Sequence, residues 1–206
     1  MDITELRCSA RERRQLKLTD LFHLHDAEPD VMQDEPMKPE EALQSAFALL
    51  THGNEAVAAA IADCTSDTRD YFSARGEILE RRGLQYSTEA EPWLRVIAAV
   101  ESCLENGWLI EIHPGCSPAE FIGSLKKLLA AAGIVFSPDK LVFDAQKSLA
   151  AWTGQFNEYA GQSGITLYFV DLYGAGTVMG AAGIADYAEA AGIAGFAGVK
   201  ITSRPG

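Results

Sequence analysis

Twice along this chain a tryptophan-bearing apolar stripe of helical period runs into a glycine and then into a stretch of strand character, once over residues 93–113 and again over residues 152–172. This constrains the fold more than any other feature, because an amphipathic helix and the strand that follows it must bury their apolar sides against each other. In the first copy Pro92 opens the helix and Trp93, Val96, Ile97, Val100 and Leu104 share one face. Asn106 and Gly107 end it, and "WLIEIH" then alternates, with Leu109 and Glu111 on one face and Trp108, Ile110 and Ile112 on the other. In the second copy Leu149, Trp152 and Phe156 anchor a helix over 144–159, and "ITLYFVDLY" is the strongest strand in the chain, almost wholly β-branched or aromatic. The "TVMG" of segment 176–180 offers it an antiparallel partner. The recurrence reads as a duplicated packing unit.

The flanking segments fill in the architecture. Leu43, Ala46, Phe47 and Leu50 form a helical stripe behind Pro39, and His52-Gly53 stops it. Asn54 caps a second helix with Val57, Ala58 and Ile61 inward, and Asp67 caps a third through Tyr71, Phe72, Ile78 and Leu79 to Gly83. Ser117-Pro118 starts a further helix with Phe121, Leu125, Leu128 and Leu129 inward, ending at Gly133. Residues 184–190 read as a short helix and "GFAGVKITS" as a last strand. The expected division is an irregular segment 1–39, a helical lobe 40–87 and a mixed core 88–206, with 40–206 open to being one domain. The expected class is α+β: helix-rich, with a small, mostly antiparallel sheet of three to five strands covered by helices.

Charge excludes more than it identifies. Across 206 residues, 29 acidic side chains outweigh 17 Lys and Arg to give a net charge of −12, so the mean field repels a phosphate backbone and nucleic acid is not an expected partner. The basic cluster Arg7, Arg11, Arg13, Arg14 and Lys17 is interrupted by Glu12 and followed by an acidic stretch over 26–41. No apolar run approaches the roughly 20 residues of a membrane span, and Asp2, Glu5 and Arg7 stand where a secretory leader would be apolar. A cytoplasmic location is expected, with the four cysteines reduced and Cys103 in the core.

Three groups of residues carry chemistry on paper, each beside a plainer reading. The loop "YGAGTVMG" places Gly174, Gly176 and Gly180 as G-x-G-x-x-x-G, one residue off a dinucleotide fingerprint and without the lysine of a Walker loop. The plainer reading is a hairpin turn. His23 and His25, beside Asp26, have the H-x-H spacing with which some metal-dependent hydrolases begin, since two residues apart on a strand share a face, and the plainer reading is a surface strand or loop with unremarkable histidines. His113 and Cys116 could pair as base and nucleophile at a strand end, where the following helix N-terminus would stabilise a thiolate. The plainer reading is the turn and cap chemistry of Pro114-Gly115 and Ser117-Pro118. No cofactor is implied.

The segment "EPWLRVIAAVESCLENGWLIEIHPGCSPAEFIGSLKKLL" resembles the central part of an uncharacterised bacterial family known as a domain of unknown function. A tryptophan-initiated helix ending in glycine is followed by a Glu-x-acid strand and a helix with E-x-x-x-x-L-x-x-L. A second tryptophan helix and a strand ending in aspartate follow, as at Trp152 and Asp171. The resemblance covers about 91–199, with His113 where the pattern has an acid and Pro114 where it has an aromatic. It implies a bacterial source and an α+β fold, and it carries no activity. The expectation is therefore a non-enzymatic interaction protein, in one version immunity-like, that meets a basic protein partner. The alternative is a small metal-dependent or thiol hydrolase.

Overall fold

The computed structural model describes residues 37–172 and 177–205. Four strands form one antiparallel sheet: β1 (Leu109–Glu111), β2 (Ile165–Asp171), β3 (Thr177–Gly183) and β4 (Ile201–Thr202), in the order β1-β3-β2-β4. The chain is α+β, with helices on both faces of this sheet. The "TVMG" segment is the start of β3 and pairs along the whole of β2, from Ile165 opposite Gly183 to Asp171 opposite Thr177.

Alternation along the strands divides the interior in two. Leu109, Tyr168, Val170, Val178 and Ala182 point into one apolar cluster; Ile110, Ile165, Leu167, Phe169, Met179 and Ala181 point into another. The first is closed by α1 (Pro39–Leu50), α2 (Glu55–Ser66), α3 (Thr68–Ser73), α4 (Gly76–Arg82), α5 (Glu91–Glu105) and α8 (Ile184–Ala194). The second is closed by α6 (Pro118–Ala131) and α7 (Leu149–Gly161). The residues read as a helical lobe thus contribute to the same core as the sheet.

The caps fall where the chain places them. The Asn54 side chain accepts the Val57 N–H at 3.1 Å, Asp67 accepts that of Asp70 at 2.9 Å, and Ser117 with Glu120 forms a reciprocal capping box. The helix expected from Asp67 to Gly83 is instead two, α3 and α4. The break is at Arg75, whose extended φ of −130° precedes Gly76, a poor helix former, and whose guanidinium lies 4.1 Å from the centre of the Tyr71 ring. The helix expected from residue 144 starts at Leu149, because Ser148 caps it and Asp144 closes a separate turn onto Gln146. The Trp152 indole donates back to the Asp144 carbonyl at 2.8 Å.

Helix α5 departs furthest from a one-faced stripe. Every residue from Val96 to Cys103 is buried, while Trp93 and Leu104 are only half-buried. The reason is layering: α5 lies against β1 on one side and α2 on the other, as α1 lies along α8. Trp108 falls just before β1 and packs on the helical cluster, its ring 5.8 Å from that of His52, rather than with Ile110.

The last strand is shorter than expected. Residues 195–197 form a 3-10 turn, Gly198 takes φ +71°, and only Ile201 and Thr202 pair with β2. The Asn157 side chain from α7 takes over where β4 stops. Its oxygen accepts the Leu167 N–H at 2.7 Å and its amide donates to the carbonyls of Leu167 and Ser203 at 3.2 Å, so the exposed edge of β2 keeps its hydrogen bonds. The two helix–glycine–strand units lie on opposite faces, α5 on one and α7 on the other, and lead into an edge strand and a central strand respectively.

Candidate functional site

Helix α4 ends in Arg81 and Arg82, where positive charge complements the helix dipole, and Gly83 closes it in the left-handed conformation at φ +64°. Both guanidinium groups then turn onto α5. Glu101 sits in the middle of that helix with its side chain 3% exposed. One of its carboxylate oxygens accepts from Arg81, and the other accepts from Arg82 Nε at 2.7 Å. Arg82 is itself buried, at 5% exposure, and its other terminal nitrogen pairs with Glu111 on β1. A carboxylate in an apolar helix is costly unless its charge is matched by well-aligned donors. Here it is matched twice, and the result is a rigid chain of charges from the core to the end of the sheet.

That end of the sheet opens into a cavity of about 1020 Å³. Ile112, Phe169 and Val170 line it, although their side chains are buried in the two apolar clusters; Pro114 and Pro205 give it apolar surface, and Thr177 and Thr202 add hydroxyls. Arg81, Arg82, His113, Lys200 and Arg204 bring basic groups to its wall, and Glu111 and Asp171 bring carboxylates. Lys200 Nζ lies 3.8 Å from Asp171. Among the described residues no carboxylate pairs with Arg204. Among the described residues four cationic side chains, Arg81, Arg82, Lys200 and Arg204, stand against three carboxylates, Glu101, Glu111 and Asp171, in an otherwise acidic chain.

The residues singled out from the sequence distribute as follows. His113 is exposed at the cavity wall, but its Nδ1 accepts the Gly115 N–H at 3.0 Å, and the bond joining it to Cys116 is a backbone one, from the Cys116 N–H to the His113 carbonyl at 2.9 Å. The Cys116 side chain packs against the α6–α7 cluster. Partial burial and the nearby Glu120 push its thiol up, the opposite of thiolate activation. The amides at the start of α6 are occupied by Ser117 and Glu120. Two Ser117 donors, its backbone N–H and its hydroxyl, hold the Glu120 carboxyl below its usual range. Burial raises the thiol of Cys103 far up and that of Cys64 to about 11.

Gly180 lies inside β3, directly opposite Tyr168. A Cβ built there would lie 2.2 Å from Tyr168 Cζ, so the residue is glycine because an aromatic ring covers it. Gly174 and Gly176 lie outside the described residues, as do His23, His25 and Asp26. Among the described residues no three His, Cys, Asp or Glu side chains converge as a metal site, and no helix is long and apolar enough to cross a membrane.

Sequence reasoning passed over Glu101, Arg81, Arg82 and Arg204. For the first three a signal was present, an acid inside an otherwise apolar stripe and an Arg-Arg pair just before a helix-ending glycine. For Arg204 there was none, since its place depends on how β4 returns to the sheet.

The family of the domain of unknown function DUF6630 matches residues 42–205, and the chain belongs to it. No curated protein and no solved structure matches the chain.

Proposed function

We propose that this DUF6630 member is a soluble, cytoplasmic interaction protein of bacterial type that receives a basic protein partner, in the manner of an immunity protein neutralising a cationic toxin. One observation carries the reading: how charge is sorted on the helical side. On α2, α3 and α4 the carboxylates of Glu55, Asp63, Asp70, Glu77 and Glu80 are exposed. Arg82 is engaged by Glu101 and Glu111, Arg81 by Glu101, and Arg75, between α3 and α4, by the Tyr71 ring; Arg69 on α3 is exposed with no carboxylate partner among the described residues, and the acids outnumber it. The net charge of −12 is thus expressed outward there, and complementary fields accelerate encounter and select against acidic partners.

The test is capture of host proteins on the immobilised full chain, with elution by salt. Captured protein is expected to be basic, to release as ionic strength rises to about 0.5 M, where screening shortens the reach of surface charge to a few ångströms, and to be lost with the triple change Asp63→Lys, Asp70→Lys and Glu77→Lys. A partner that is acidic, or one that the triple variant retains, sinks the proposal.

A further inference from the structure

The described residues of the cavity at the end of the sheet bring more cationic groups than carboxylates, and we infer that it is a binding site for a small organic anion, one that carries a phosphate or carboxylate group on an apolar body. This goes beyond the protein–protein reading and uses different residues. Three features select that class of ligand. First, at about 1020 Å³ the cavity is at the upper end of the roughly 300–1000 Å³ typical of small-molecule pockets. Second, its cationic groups do not all spend their charge on the protein. Arg81 gives one terminal nitrogen to Glu101 and keeps its side chain 57% exposed, and Arg204 is exposed with no carboxylate partner among the described residues. Lys200 makes only a long contact to Asp171 and is 64% exposed. Third, Pro114, which is exposed, and Pro205, which is half-buried, line the cavity and offer nothing to a fully hydrated inorganic ion but match a hydrocarbon or aromatic portion.

Arginine presents its N–H groups as a planar fork that fits a carboxylate or phosphate oxygen pair. The buried Glu101 fixes Arg81 and Arg82 before any ligand arrives, so little side-chain entropy remains to be lost on binding. Glu111 and Asp171, on the same wall, exclude a second anionic group from their side. The preferred ligand therefore has its anion toward Arg81 and Arg204 and its apolar part on Pro114 and Pro205.

The experiment uses isotope-labelled full chain followed by NMR, titrated with phenyl phosphate, benzoate, benzyl alcohol and benzylamine. At least one of the two anions is expected to bind saturably and to shift the amides of Ile112, Phe169 and Thr202, whereas benzyl alcohol binds at least about tenfold more weakly and benzylamine gives no saturable shift. The stronger anion identifies the headgroup. The double change Arg81→Gln and Arg204→Gln is expected to weaken binding about tenfold or more. Should that variant not fold, Arg204→Gln alone gives the same reading, since that guanidinium holds no carboxylate among the described residues. Absence of saturable binding by both anions, equal binding of benzylamine, or unchanged affinity in the folded variant overturns the inference. Any of these leaves the salt-dependent capture of a basic protein unaffected.

Discussion

On one face of the sheet, Tyr168 lies over the bare backbone of Gly180, and α5 brings in a buried carboxylate with two arginines. On the other, Phe121, Phe143 and Trp152 meet with ring centres 5.0–6.1 Å apart and Phe136 meets Phe156 edge-on at 5.5 Å, beneath helices α6 and α7. The aromatic side is held by bulk and area, in which one hydrophobic group substitutes for another at moderate cost. The helical side is held by fit: a missing Cβ, a helix buried all round and a charge that needs its partners. The groups that reach the cavity from the helical side come from this second kind of packing, as expected where a site needs side chains in fixed orientations.

The comparison breaks most sharply at Gly180. Gly180→Val forces Tyr168 out of place or bends β3, and unfolding by denaturant should show a loss of at least about 4 kcal/mol or no folded protein. Pairing Gly180→Ala with Tyr168→Ala should cost less than the sum of the two changes, because the clash is between those two residues. On the aromatic side Phe121→Ala should cost about 3–5 kcal/mol, whereas Phe121→Leu should cost far less.

A smaller effect tests the charged network. Glu101→Gln removes the carboxylate that Arg81 and Arg82 share, leaving Arg82 with Glu111, and a loss of about 3 kcal/mol is expected. The combined change Glu101→Leu and Arg82→Met should recover much of it while weakening anion binding in the cavity. If the single change were as silent as a surface substitution, the network would not be holding Arg82.

The smallest effect separates the faces by pH. Cys64, Cys103 and Tyr168 all lie in the helical cluster, and burial raises each above its ordinary value. A group raised in the folded state stays protonated there while its unfolded counterpart ionises. For Cys64 the stabilisation is full below the unfolded thiol value of 9.0 and is lost as pH rises to about 11. Denaturation midpoints should fall across that window, and Cys64→Ala should flatten the fall although it lowers stability at neutral pH. An unchanged slope in the variant would place the alkaline loss elsewhere.

Much of the fold was legible because its signals are local. Leu43, Ala46, Phe47 and Leu50 declare a helix face by spacing, Asn54 and Asp67 declare helix starts by their side-chain chemistry, and 165–171 declares a strand by β-branching. The antiparallel partner at 177–180 was legible for the same reason. The break at Arg75 and the short β4 were not: the first goes with the way the Arg75 guanidinium turns back onto the nearby Tyr71 ring, which residue spacing does not reveal, and the second answers to Asn157 from a distant part of the chain. Of the candidate site only His113 was singled out for chemistry in advance, while Glu111 and Asp171 were named as strand positions. The arginines around it looked like ordinary helix-end charges until the sheet brought β1, β2 and β4 beside them.

By itself the sequence determined where helices and strands form, which positions are apolar, and that the chain as a whole is acidic, because propensity, capping and periodicity act within a few residues. The tertiary structure alone decided that α5 is buried on every side, that Gly180 lies beneath Tyr168, and that positive charge collects at one end of the sheet. These depend on which surfaces meet, and a burial or a field is the sum over neighbours that the order of residues does not name.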